Sequence, residues 1–309
     1  MKTTFKRVLT LALAVLLAVS ALSLTSCNTK NSPVKIGVPD DATNLARAIK
    51  LLESQGFIEV DPAAGYSPEL KDITKYIYNI EIVPTTANTL TSTLEDYTAS
   101  TINGTYATSA GLVPSKDGIV TENQGTDGDN PYVNIIVART AEKDKAEFKA
   151  IVEAFQTAYV GEYMIEKYNE CYFPCFNYEK PSKTAAEIVA EIDAYESTKE
   201  GKTVIKVGVC GSSNDHWKAV QKILDDQNAG IYIQLVEFDA YNLPNQALNE
   251  GDIDLNSFQH KAYLNKEIDA NGYALSVVGD TLIAPLTLYS NKVDSIQALK
   301  DLAGLVEQE

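Results

Sequence analysis

The stretch FQHKAY, Phe258 to Tyr263, places two aromatic rings and one of only two histidines just after an apolar segment that reads as a strand. Residues in that position face the mouth of an α/β sheet, where small ligands bind. Phe258, His260 and Tyr263, with Tyr241 nearby, could wall an apolar ligand tail. The alternative is that both rings are core and His260 is a satisfied surface residue. Covalent chemistry has little to work with. Neither His216 nor His260 stands near a Ser or Cys nucleophile motif, and phosphate-loop and dinucleotide fingerprints are absent. CYFPC (Cys171 to Cys175) lacks the spacing and the histidines of a zinc site, although a Cys171–Cys175 disulfide is possible. The chain is therefore expected to be a binder, not an enzyme, with no metal and no cofactor.

The elements that must position these residues can be read from pattern. Strands are expected at Val34–Val38, Ile80–Val83, Ser100–Ile102, Tyr132–Val137, Val204–Val209, Ile231–Glu237, Ile253–Asn256, Leu275–Val278 and Leu282–Tyr289. Helices fit Asn44–Ser54, Lys145–Ala158, Glu162–Tyr168, Ala185–Ser197, His216–Asp226, Leu243–Asn249 and Ser295–Leu302. Strand and helix alternate, which favours an α/β architecture with mainly parallel sheets. VKIGVPDDATNLARAIKLL (Val34 to Leu52) and VIKVGVCGSSNDHWKAVQKIL (Val204 to Leu224) are the same strand–loop–helix unit, and YNIEIVPTT (from Tyr78) and AGIYIQLVEFD (from Ala229) continue the parallel. Two similar α/β lobes can face each other across a cleft that closes by hinge motion.

Charge and the N-terminus narrow the partners. A formal charge of −16 opposes nucleic acid and anionic lipid surfaces as partners, and leaves small ligands open. Lys2, Lys6 and Arg7 precede VLTLALAVLLAVSAL, an apolar run of signal-peptide length. LTSC (Leu24 to Cys27) then resembles a bacterial lipobox, in which the cysteine becomes the lipidated first residue. Residues 1–26 are thus expected to be a signal peptide, Cys27 the lipid-bearing residue, and 27–33 a tether at the extracytoplasmic face of a membrane.

Longer motifs carry a resemblance. YNLPNQALNEGDIDLNSFQHKAYL, IAPLTLYSNKVDSIQALKDL, VPDDATNLARAIKLLESQGF, INGTYATSAGLVPSKDGIVTE and NPYVNIIVAR together resemble the methionine-binding (NlpA-type) lipoproteins of ABC importers. The resemblance implies a two-lobed fold of the periplasmic-binding-protein kind. Its ligand would be L-methionine or a relative, its partners an ABC permease and its ATPase. Arg47 would grip the ligand carboxylate through a fork of N–H donors, helped by a helix start, and Asn103 would hold the amino-acid head group. Tyr241, Phe258, His260 and Tyr263 would enclose the side chain, where a thioether suits aromatic edges. Asn134 could join the polar set. Trp217 could flank the cleft or pack its helix. GSSNDH (Gly211 to His216) departs from the methionine-binding form and resembles members that accept a methionine-containing dipeptide.

The order of the segments also departs from the family. The half that comes first there stands second here, as in a circular permutation, with Tyr178–Thr203 joining the family's old termini. The expected division is a lobe over 34–130, completed by 291–309, and a second over 131–290 that includes the connector 178–203. Hinge crossings are expected near Asn130–Ile135 and Ala284–Ser290. Because the anchor would then enter the other lobe, a transport-incompetent surface sensor or adhesion lipoprotein is the competing function.

Overall fold

The computed structural model describes residues 32–123, 130–169 and 171–306. The signal peptide, Cys27 and most of the tether lie outside the described residues. Among the described residues no helix is long and apolar enough to cross a membrane.

From Val34 the first half runs β1 (Val34–Pro39), α1 (Ala42–Ser54), β2 (Ile80–Thr85), β3 (Ala99–Ile102), α2 (Gly104–Ser109) and β4 (Gly118–Thr121). It continues through β5 (Ile135–Arg139), α3 (Ala146–Phe155) and α4 (Ala158–Lys167) to the connector helix α5 (Ala185–Asp193). The second half repeats the plan: β6 (Thr203–Cys210), α6 (His216–Asp226), β7 (Ile231–Phe238), α7 (Pro244–Glu250), β8 (Leu255–Asn256), α8 (Lys261–Asn271), β9 (Leu275–Asp280), β10 (Thr287–Tyr289) and α9 (Ile296–Ala303).

Two five-stranded sheets result, with orders β2-β1-β3-β10-β4 and β7-β6-β8-β5-β9. In the first, β1 is parallel to β2 and β3, while β10 is antiparallel to β3 and β4. In the second, β6 is parallel to β7 and β8, and β5 is antiparallel to β8 and β9. Each half of the chain therefore builds four strands of its own sheet and lends one strand to the other. The lent strand arrives from the facing lobe and so enters antiparallel, which makes both sheets mixed where mainly parallel ones are expected from alternation alone. The fold is two-lobed α/β, with separate cores around Ile36, Ile49, Leu52 and Leu288 and around Val207, Phe155, Trp217 and Val220.

The crossings lie side by side. Asn134 N–H donates to Leu282 O and Thr281 N–H to Asn134 O, both at 2.8 Å. The apolar run Leu282–Tyr289, expected as one strand, splits in two. Leu282–Ile283 pairs with Phe173–Pro174 and Thr287–Tyr289 joins the first sheet. Pro285 lies between them and has no N–H to offer a ladder. The first sheet thus takes residues from 287 onward, earlier than the expected boundary at 291. Gly104 permits this route: a Cβ there would stand 2.9 Å from Ala284 Cβ and 3.1 Å from Pro285 O.

The connector is more than a surface helix. Thr184 caps α5 in a capping box with Glu187, and Ile188 and Ile192 are fully buried against the second core. Cys171, Cys175 and Cys210 are buried free thiols, so the disulfide that the sequence allowed is not formed.

Candidate functional site

Twelve residues line a cleft between the lobes. They are contributed by both lobes. Asn44 and Arg47 come from α1, Asn103, Gly104 and Thr105 from the start of α2, and Asn134 and Ala284 from the two crossings. Tyr241, Phe258, Gln259, His260 and Tyr263 come from the second lobe. Every residue expected to bind ligand is in this cavity except Trp217.

Trp217 sits on α6, 2% exposed, with its ring 5.3 Å from Phe155. Its environment is the second lobe's core, so it packs its helix and does not flank the cleft.

The loop carrying Phe258 and His260 is held from behind by a buried amide triangle. Asn245 Nδ2 donates to Gln259 Oε1 at 2.8 Å, Gln259 Nε2 to Asn245 Oδ1 at 2.7 Å, and Asn256 Nδ2 to Asn245 Oδ1 at 2.9 Å. Gln259 is thereby the residue that ties the loop down, and its bonds reach α7. Beyond Gln259 the chain enters a helix and not the expected cleft-facing loop. His260 caps α8, its Nδ1 accepting from Tyr263 N–H at 3.1 Å.

That cap decides the imidazole's chemistry. A backbone N–H only donates, so Nδ1 carries no proton and Nε2 must. Burial first, and Arg47 second, hold the His260 pKa well below the usual value, so the ring is neutral at pH 7. The Nε2–H is buried with no hydrogen-bond partner among the described residues, and so are Asn103 Oδ1 and Thr281 Oγ1. Asn103 precedes α2, but its side chain makes no capping bond. One orphan donor and one orphan acceptor thus line the same cavity. Buried polar atoms left unpaired are costly, and a ligand that supplies the complement recovers that cost.

Above the polar floor stands an aromatic box. Tyr241 lies 5.9 Å from Phe258 and 6.2 Å from Tyr263, and Phe258 and Tyr263 are 6.0 Å apart, ring centre to ring centre. Tyr106, which pattern reading did not single out, adds a fourth ring 4.8 Å from Tyr241. At these spacings the rings pack against one another, so Tyr241, Phe258 and Tyr263 present one apolar wall to the cleft.

Arg47 is buried but less free than a bidentate carboxylate clamp requires. Its Nε donates to Glu122 Oε2 at 3.2 Å and its Nη2 to Glu122 Oε1, while Nη2 also reaches Ala284 O at 3.4 Å. Nη1 donates to Asn44 Oδ1 at 2.8 Å. Burial is the largest influence and would lower the guanidinium pKa, but the charge and hydrogen bond of Glu122, with Tyr132 and Tyr241, together outweigh it and the pKa is raised. Tyr132 covers one face of the guanidinium at 5.1 Å. The helix start does not draw an anion here either, because the Asp41 carboxylate already caps α1 at Asn44 N–H, 3.0 Å away. Asn44 was not read from the sequence, although its place one turn before Arg47 could have shown it. Glu122, 75 positions along the chain, could not have been found that way.

The rims of the lobes touch. Asn88 Nδ2 and Tyr106 Oη donate to Asp239 O at 3.0 and 3.1 Å, and Ser212 N–H donates to Ser109 Oγ at 3.0 Å. A second cavity of about 340 Å³ shares Thr105, Asn134 and Phe258 with the first and adds Asn214, His216 and Ser257. Among the described residues no group of three or more His, Cys, Asp or Glu could hold a metal ion.

The second histidine makes a prediction about stability. Burial lowers the His216 pKa to about 3, and its Nδ1 lies 3.2 Å from Tyr168 Oη. The unfolded chain takes up a proton near pH 6.5, whereas the folded one does not, so stability falls as the pH drops below 6.5. This histidine alone accounts for about 2 kcal/mol between pH 7 and pH 5. Urea unfolding at the two pH values is expected to show that loss, reduced in His216→Gln. An equal loss in both proteins would assign it to other groups.

A family model described as NlpA lipoprotein matches residues 27–176 and 205–306, leaving out only the leader, the connector with one residue on either side of it, and the last three residues. Outer membrane lipoprotein 2 of Mannheimia haemolytica is 38% identical over 135 residues, which are 43% of this chain and 47% of that protein. The D-methionine-binding lipoprotein MetQ of Salmonella typhimurium is 40% identical over 130 residues, 41% of this chain and 46% of that protein. The chain thus spans about half the length of the curated relatives it matches. Among solved structures, a nutrient-binding protein from Burkholderia cenocepacia bound to methionine is 33% identical with a TM-score of 0.41, over 46% of this chain and 59% of that one. A crystal structure of MetQ is 35% identical with a TM-score of 0.43, over 47% of this chain and 58% of that one.

Proposed function

Since the chain belongs to the NlpA lipoprotein family, we propose that it is an extracytoplasmic solute-binding lipoprotein, held at the membrane through Cys27, that delivers methionine or a close relative to an ABC permease and its ATPase. The observation that carries the ligand class is the pairing of orphaned polar atoms with an aromatic box in one interlobe cleft. An amino-acid carboxylate accepts from His260 Nε2–H and from the remaining Nη1–H of Arg47. Its ammonium donates to Asn103 Oδ1, with Asn134 at the crossing completing the polar set. Tyr241, Phe258 and Tyr263 enclose the side chain. The chemistry is capture without bond-making: ligand contacts to both lobes favour the closed state, in which the rim bonds of Asp239 and Ser109 form.

The second cavity supports a longer relative, a methionine-containing dipeptide, because it continues the first past Asn134 toward Asn214 and His216. The exchanged order of the halves has its own support. Val34 N–H donates to Asn79 O and Asn79 N–H to Gly304 O, each at 2.9 Å, so the two ends of the described fold flank one residue. A chain joined there and opened in the connector would keep every strand pairing, and exposed closed loops tolerate such cuts.

Thermal melting of the full chain, refolded to strip bound ligand, tests the function. Saturating L-methionine, D-methionine or glycyl-methionine is expected to raise the Tm, since a ligand that binds only the folded state must stabilise it. Asn103→Ala is expected to weaken that ligand by about tenfold or more, having removed an acceptor for a charged donor. A cooperative melt unmoved by all of them would shift the assignment to a sensor or adhesion lipoprotein.

A further inference from the structure

Arg47 separates two cavities, and Glu122 lines only the one behind it, with Lys50, Tyr66 and Tyr132. From there its carboxylate takes the Nε and Nη2 edge of the guanidinium and accepts from Leu286 N–H at 2.6 Å, on the crossing between the lobes. With Asn44 and Ala284 O, four of the five guanidinium N–H groups are engaged, and a single Nη1–H is left to the cavity. Arg47 and Glu122 are 5% and 9% exposed, so bulk water screens their attraction only weakly. The pair is therefore a neutral unit, built into the hinge, behind a site whose other polar residues, Asn44, Asn103, Asn134 and neutral His260, carry no charge.

We propose that Glu122 sets the charge of the ligand this cleft accepts: by cancelling Arg47 from behind, it makes the site select a zwitterion over an anion of the same shape. This rests on the cleft binding an amino acid. A lone buried arginine would draw any carboxylate, with or without an ammonium. A cancelled arginine offers the carboxylate one directed hydrogen bond and little net attraction. The ammonium, drawn by Asn103 Oδ1, then contributes to selection. Glu122 acts through Arg47 and is a positioning residue.

Calorimetric titration of the full chain in mild detergent tests this with L-methionine and with 4-(methylthio)butanoate, which lacks only the amino group. The wild type is expected to prefer methionine by about a hundredfold, and Glu122→Gln to cut that preference by about tenfold or more by tightening relative binding of the anion. Glu122→Asp keeps the charge and is expected to weaken both ligands while leaving their ratio within about threefold. A wild type that binds both ligands equally would overturn the proposal, whether or not Glu122→Gln folds. So would Glu122→Gln weakening both alike, or Glu122→Asp shifting the ratio tenfold. A wild type that binds neither would instead remove the amino-acid assignment on which the proposal stands.

Discussion

Arg47→Met is expected to weaken methionine binding by about tenfold or more and to destabilise the fold by about 3–5 kcal/mol, because it takes the opposite charge away from a Glu122 carboxylate that is 9% exposed. The two effects have separate origins and separate cures. Adding Glu122→Leu removes the stranded charge, and a buried pair replaced by apolar side chains of similar volume is about neutral for stability. The double variant is therefore expected to recover most of the lost stability while still binding methionine about tenfold or more weakly than wild type. Urea midpoints for the single and double variants, with a ligand titration of the double, check this. Recovery of binding in the double variant would show that Arg47 serves the fold and not the ligand.

Trp217→Ala is expected to cost about 3–5 kcal/mol as well, by opening a cavity beneath α6 beside Phe155. Its effect on the ligand is expected to be the reverse of that at Arg47. The ring lines neither the cleft nor the second cavity, so methionine affinity measured below the lowered Tm is expected to stay within about threefold of wild type. A large loss of affinity with an unchanged melt would place Trp217 in the binding site after all. Set side by side, these variants would separate a buried side chain that holds a ligand from one that holds the lobe.

Much was legible where local physics and burial agree. Helix α1 shows its apolar period in the sequence, with Arg47 on it, although its Asp41 cap and the part of Asn44 were not read there. Strands β1, β6 and β7 are mainly apolar runs with parallel neighbours, and the repeat of strand, loop and helix announces two lobes before any contact is known. Helix α8 was missed for the opposite reason. Only Tyr263 and Leu264 are buried along its length, so no apolar stripe marks it, and its start is set by a histidine cap that composition does not reveal.

The family resemblance, and not pattern, pointed to Arg47 and Asn103; the sequence by itself determined the α/β class, the duplicated lobe and a set of aromatics placed to meet an apolar chain. These are properties of periodicity and side-chain chemistry, which act over a few residues. Tertiary structure alone decided that each half lends a strand to the other's sheet, and that His260 presents Nε2–H. It also decided that Trp217 is core, and that Glu122 reaches across 75 positions to occupy most of the Arg47 fork. Those outcomes depend on which groups come to share a low-dielectric interior, where an unpaired proton or charge is costly. Pairings of that kind are made between segments that pattern reading treats as independent.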